Sequence, residues 1–135
     1  MLVVDASLAV ELSLDRVGDR ARDSLSEDLV APPLLWSEAA SVLNELAHRG
    51  EISRELADRA LGRFLDGEVG ITERRPDGLL RAAWRLAEEF GWAKTYDAEY
   101  IALAQSLGCR LVTLDMRLRR GAGRLGLVIT PDELS

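Results

Sequence analysis

At 135 residues the chain has room for one domain with a sizeable core, and two would be cramped. Apolar residues at 47% and charged residues at 30% describe a globular chain and argue against extensive disorder. A net charge of −6 argues against a nucleic-acid partner only if that charge is evenly spread.

It is not evenly spread. Between Met116 and Pro131 stand four arginines (Arg117, Arg119, Arg120, Arg124) and no acid. That segment is either a solvated face or a phosphate-binding one. No apolar run approaches the roughly 20 residues of a membrane span. The start of the chain lacks the basic and apolar regions of a secretory signal. Cys109 and His48 each stand alone, which excludes an internal disulfide and leaves almost nothing for a zinc site. The expected setting is a reducing cytoplasm.

The chain opens on "LVVD", a short apolar run that suits a central strand of a parallel sheet. A short helix follows over 8–14 and a weakly amphipathic one over 17–28. "LVA" at 29–31 reads as a strand stopped by Pro32 and Pro33. A helix from about Leu34 to Arg49 ends at Gly50, and Ser53 caps another over 54–66. "EVGIT" (68–72) is a strand candidate, and Asp77 opens a helix over 78–91. A helix over 95–108 closes on Gly108, followed by strands "RLVTLD" (110–115) and "LGLVIT" (125–130). Alternating strands and helices, with no repeat or linker, predict a single α/β domain over 1–135. Its mostly parallel sheet is covered by helices on both faces.

Of 23 acidic residues, four stand where a solvated face does not explain them. Asp5 and Asp115 each end an apolar strand, and ligands gather at the carboxyl ends of parallel strands. Asp5 equally suits a helix cap. Glu38 lies three residues after Leu35 and four before Val42, inside the apolar stripe of its helix. A buried carboxylate is costly without a partner, so either a cation meets Glu38 or the helix is rotated. Asp97 precedes Tyr100 and Ile101 on the apolar face of its helix, and it too suits a cap. Glu99 is read as facing solvent. Four converging carboxylates without His or Cys call for a hard divalent cation, Mg²⁺ or Mn²⁺. Such ions serve phosphodiester hydrolysis.

Asp5 in "VVDAS", Glu38 in "PPLLWSEAASVLNEL", Asp97 in "TYDAEYIALA" and Asp115 in "LVTLD" resemble the acidic quartet of the PIN-domain ribonucleases. The chain is similar, over essentially its whole length, to the VapC-type toxins of toxin–antitoxin modules. The resemblance implies a Rossmann-like three-layer fold with strand order 3-2-1-4-5, the acids meeting at its carboxyl edge. It implies a Mg²⁺- or Mn²⁺-dependent endoribonuclease leaving a 5′-phosphate and a 3′-hydroxyl, with RNA as substrate. It also implies a homodimer and an antitoxin protein whose C-terminal segment lies across the active-site groove. Asp5, Asp97, Asp115 and Glu38 are then the metal-holding and catalytic residues, with Thr113 and Ser7 in support. Arg117, Arg119 and Arg120 would meet the RNA backbone. Ser41 stands where many relatives carry Asn.

Other phosphoryl-transfer domains fit less well: a haloacid-dehalogenase-like phosphatase needs Asp-x-Asp, and this chain has Asp5-Ala6-Ser7. A non-catalytic RNA-binding module, its carboxylates paired with arginines, is the remaining alternative. Trp36, Trp84 and Trp92 are read as core or interface residues rather than base-stacking ones. Cys109 is read as an inert small hydrophobe.

Overall fold

The computed structural model describes residues 1–134. The apolar runs form five short strands: β1 (Leu2–Val4), β2 (Leu29–Ala31), β3 (Ile71–Glu73), β4 (Arg110–Val112) and β5 (Val128–Ile129). They pair in parallel throughout, in the order β3-β2-β1-β4-β5 that the resemblance implied. Every residue of β1 and β2 is buried, as central strands under helices require.

Among the described residues seven α-helices flank the sheet: α1 (Ala6–Ser13), α2 (Asp19–Ser24), α3 (Leu34–His48), α4 (Arg54–Leu65), α5 (Leu79–Phe90), α6 (Tyr96–Leu107) and α7 (Met116–Gly121). Helices α1, α3 and α4 pack on one another, while α6 lies along α5 and against β1 and β4. That position buries α6 broadly: Ala98, Tyr100, Ile101, Ala102, Leu103 and Ala104 are all enclosed. Among the described residues no helix is long and apolar enough to cross a membrane.

Several boundaries differ from the sequence reading. β3 begins at Ile71 rather than 68 because Gly70, at φ +77°, turns the chain immediately before it. Gly78, at φ +80° with no side chain to offer, occupies the capping position of α5 in place of Asp77. The helix expected over 17–28 shrinks to α2, which buries none of its residues and so has little tertiary support. Helix α7 was not foreseen; the strand expected over 110–115 stops at Val112, and Asp115 caps the new helix.

The β1–β4 register decides what stands at the site. Val4 pairs with Val112, so the next residues out, Asp5 and Thr113, face each other across the sheet edge. "LVVD" and "LVTLD" are therefore not equivalent. Asp115 lies two residues further along than the position opposite Asp5.

Candidate active site

Asp5 is buried, with 6% of its surface exposed. It accepts three hydrogen bonds: from Ser7 Oγ at 2.6 Å and the Leu8 N–H at 3.2 Å on Oδ1, and from the Thr113 hydroxyl on Oδ2. The two hydroxyls are themselves oriented. Ser7 Oγ accepts from the Leu114 N–H at 3.0 Å, and Thr113 Oγ1 accepts from the Asp115 N–H at 2.9 Å. With their lone pairs so occupied, both point their protons at Asp5. Burial nonetheless wins and lifts the Asp5 carboxyl to about 6, the three bonds opposing it and the nearby Asp97 charge adding to it. The Leu8 bond caps α1, so the cap and the site are one residue.

Glu38, half-buried in the second turn of α3, accepts a 2.6 Å hydrogen bond from the Tyr100 hydroxyl. A neutral donor from α6 thus meets the acid, a partner that the sequence reading did not name. Burial raises the Glu38 carboxyl, Tyr100 opposes the rise, and Asp97 adds to it. Asp97 itself lies in the first turn of α6 and makes no capping bond; Thr95 holds the cap position, so the capping alternative fails. Asp97 is exposed rather than set in the buried face of α6, because the buried face begins at Ala98. Crowding by the protein still raises its carboxyl, Asp115 raises it further, and Arg117 pulls it down. Asp115 caps α7 through Arg117 N–H at 2.9 Å and Leu118 N–H at 3.4 Å.

Asp97 is thus the hub: its charge is felt at Asp5 and Glu38, and that of Asp115 is felt at Asp97. A fifth acid joins them. Glu99, expected to face solvent, is half-buried, its carboxyl raised by burial and then by Glu38. The signal for both omissions was present in the sequence. A buried tyrosine needs a hydrogen-bond partner, and Glu99 directly precedes Tyr100. Among the described residues one guanidinium forms an ion pair with these five carboxylates, Arg117, with Nε 3.7 Å from Asp115 Oδ1.

The PIN-domain family model matches residues 2–124. The chain belongs to the PIN-domain family. Among curated proteins it is 34% identical, over 97% of its own length and 99% of theirs, to VapC ribonuclease Mb0985 of Mycobacterium bovis and to ribonuclease VapC9 of Mycobacterium tuberculosis. It is 30% identical to ribonuclease VapC3 of Pyrobaculum aerophilum, over 96% of this chain and 98% of that one. The crystal structure of PAE2754 from Pyrobaculum aerophilum superposes with a TM-score of 0.72 at 27% identity, covering 98% of this chain and 92% of that one. Within the family, this PIN domain is of the VapC type.

The basic run of this PIN domain is less free than its sequence suggests. Arg119 forks onto Glu133, with contacts of 3.0 and 2.8 Å. Arg124 lies 4.1 Å over the Phe90 ring and 3.6 Å from Glu89. Only Arg117 and Arg120 extend from α7 without such a tie to a distant acid among the described residues. Ser41 is exposed on α3. Trp36 donates to Glu73 at 2.8 Å and packs on Phe64, and Trp92 stacks on Phe90, both half-buried as read. Trp84, with 55% of its surface exposed, is not a core residue, and of that reading only the interface alternative is left for it. Burial raises the half-buried Cys109 thiol, in keeping with an unreactive side chain.

Proposed function

We propose that this VapC-type PIN domain, acting as one unit over residues 1–135, is a divalent-metal-dependent endoribonuclease and the toxin of a toxin–antitoxin pair. The observation that carries the reading is the cluster of mutually repelling carboxylates at the carboxyl edge of β1 and β4, of which, among the described residues, only Asp115 has an arginine as ion-pair partner. The donor set suits a hard cation, being oxygen throughout. Among the described residues no three acids close into a metal cage, so an ion here would take part of its coordination from water or substrate. Asp5, Asp97, Asp115 and Glu38 would hold Mg²⁺ or Mn²⁺, which when bound supplies an activated water and a counter-charge for the scissile phosphate.

The chain's own residues do the rest. Ser7 and Thr113 fix the Asp5 carboxylate in one rotamer, so that it meets its ligand without reorganising. Tyr100 holds Glu38 by one oxygen and leaves the other to position the attacking water and take its proton. The water oxygen bonds to phosphorus, the P–O3′ bond breaks, the departing O3′ takes a proton from solvent, and the products carry a 5′-phosphate and a 3′-hydroxyl. Arg117 and Arg120 meet flanking phosphates. An antitoxin segment across this edge would block RNA, and we place the working form as a cytoplasmic homodimer. The test is incubation of the purified chain, freed of antitoxin, with structured and single-stranded RNAs in Mg²⁺, Mn²⁺ or EDTA. Cleavage in either metal and none in EDTA is expected; metal-independent cleavage, or none across a broad RNA panel, would sink the reading.

A further inference from the structure

Holding a cation gives no reason for the apolar rim of the acidic centre. Of the seven large apolar side chains exposed among the described residues, three directly flank site acids: Tyr96 precedes Asp97, and Leu114 and Met116 bracket Asp115. Tyr96 is the aromatic one of the three, with 49% of its surface exposed. Most other rings are engaged: Trp36 packs on Phe64, Phe90 stacks on Trp92, and Tyr100 donates to Glu38. Tyr96 makes no hydrogen bond or ring contact among the described residues. Trp84 is unengaged too, but it stands on α5, which carries none of the site acids. The place of Tyr96 on α6 directs it to the site. It is the first residue of that helix. Cα–Cβ bonds tilt toward a helix's amino end, and at that end of α6 stands Asp97, whose charge is felt at Asp5. Tyr96 and Asp97 lie four and three residues before Tyr100, so one turn separates both from the Tyr100–Glu38 bond.

We propose that Tyr96 stacks on the base of a nucleotide beside the scissile phosphate and so holds the RNA in register over the carboxylates. The proposal rests on the ribonuclease reading and adds to it a residue that binds the substrate. Stacking draws on the π face of the ring, which every base matches, and it asks for no positive field around it. Tyr96 and Asp97 are consecutive and both exposed. A second copy of the chain seated on Tyr96 would therefore cover Asp97 as well and close the site. In a working enzyme only the substrate meets the two together.

The test is single-turnover cleavage, in Mn²⁺ and across protein concentrations, of a fluorescein-labelled single-stranded RNA that the full chain cuts at one place. The same RNA with a non-hydrolysable methylene phosphonate at that place gives the affinity by fluorescence anisotropy. Tyr96→Ala should weaken binding and raise the half-saturating concentration at least about fivefold, with the maximum rate kept within about twofold. The salt dependence of binding should not change, since stacking displaces no counterions. Tyr96→Phe, which keeps the ring, should behave as the wild type. A single abasic residue moved along the RNA should cost the wild type at least about fivefold at one position beside the cut, and cost Tyr96→Ala nothing further there. The side chain is exposed, so the melting midpoints should match. Wild-type affinity in Tyr96→Ala, or equal abasic losses in both chains, with RNA still cut, would overturn the stacking and leave the ribonuclease reading standing. A fall in the maximum rate alone would make Tyr96 a support for Asp97, and a fall in sedimentation mass would make it a contact between copies; either overturns it as well. Failure of the wild-type chain to cut RNA across the panel removes both.

Discussion

The two edges of the sheet use the same charged residue types to opposite ends. At the amino edge the exposed charges are matched: the Met1 ammonium meets Glu27 at 2.6 Å and Arg22 meets Asp15, while Arg63 donates to the Ser13 carbonyl and keeps its Nε buried without a partner among the described residues. There partners hold the Asp15 and Glu27 carboxyls below their ordinary values. At the carboxyl edge Asp5, Glu38, Asp97 and Glu99 are all raised, first by lost hydration (through burial for Asp5, Glu38 and Glu99, through crowding at the exposed start of α6 for Asp97) and, directly or through one neighbour, by one another. An acid that answers a cation in the fold is structural. A group of acids that answer one another stores repulsion that only an outside cation relieves, and perturbed carboxylates gathered at such an edge mark a functional site.

The sharpest way to break this contrast is to neutralise its hub. Asp97→Asn should lower metal-dependent RNA cleavage by at least about a hundredfold, measured in single turnover, with the fold kept by circular dichroism. Asp15→Asn, at the matched edge, should leave cleavage at the wild-type level.

Stability should move the other way. The Asp5 carboxyl is raised in the folded chain from 3.8 to about 6, so the folded state holds its proton more tightly than the unfolded one. The fold is therefore favoured below about pH 4, and that advantage is lost as pH rises through 6. Metal-free Asp5→Asn, which never ionises, should thus be more stable than the wild type at pH 7.5, on the order of 1–3 kcal/mol. The gain should shrink toward pH 4, as read from chemical denaturation at the two pH values. A less stable variant at pH 7.5 would show that the bonds from Ser7, Thr113 and Leu8 outweigh burial.

Tyr100→Phe removes one hydrogen bond from Glu38 and leaves the ring in place. Cleavage should fall about tenfold through kcat with KM kept, since Glu38 is then free to turn. Arg119→Ala should have the smallest effect, within about twofold on cleavage, because Glu133 already occupies that guanidinium. Arg117→Ala should cost more than Arg119→Ala.

The sheet and its acids were legible because short apolar runs bounded by Gly and Pro admit few alternatives, and because each of the four carboxylates broke an apolar pattern. The β1–β4 register was not. Where β4 stops depends on Asp115 turning to cap α7, and that choice puts Thr113 rather than Asp115 opposite Asp5. The Glu38–Tyr100 bond was hidden because it joins two helices 62 residues apart in the chain. Trp84 is not a core residue because α5 carries two apolar stripes and only one of them is buried. Leu79, Ala83, Leu86 and Ala87 are buried against neighbours including α6, and Leu80 with Trp84 forms a second stripe turned outward. The arginines after Asp115 were legible as a charge run, but Glu133 and Glu89, which hold two of them, come from elsewhere in the fold.

Calorimetric titration of Mn²⁺ into the metal-free chain at pH 7.5, beside Asp97→Asn, tests the central claim most directly. Saturable binding to the wild type, lost or weakened at least about tenfold in the variant, is the predicted result. Equal binding by both, or none by a folded wild-type chain, would contradict it.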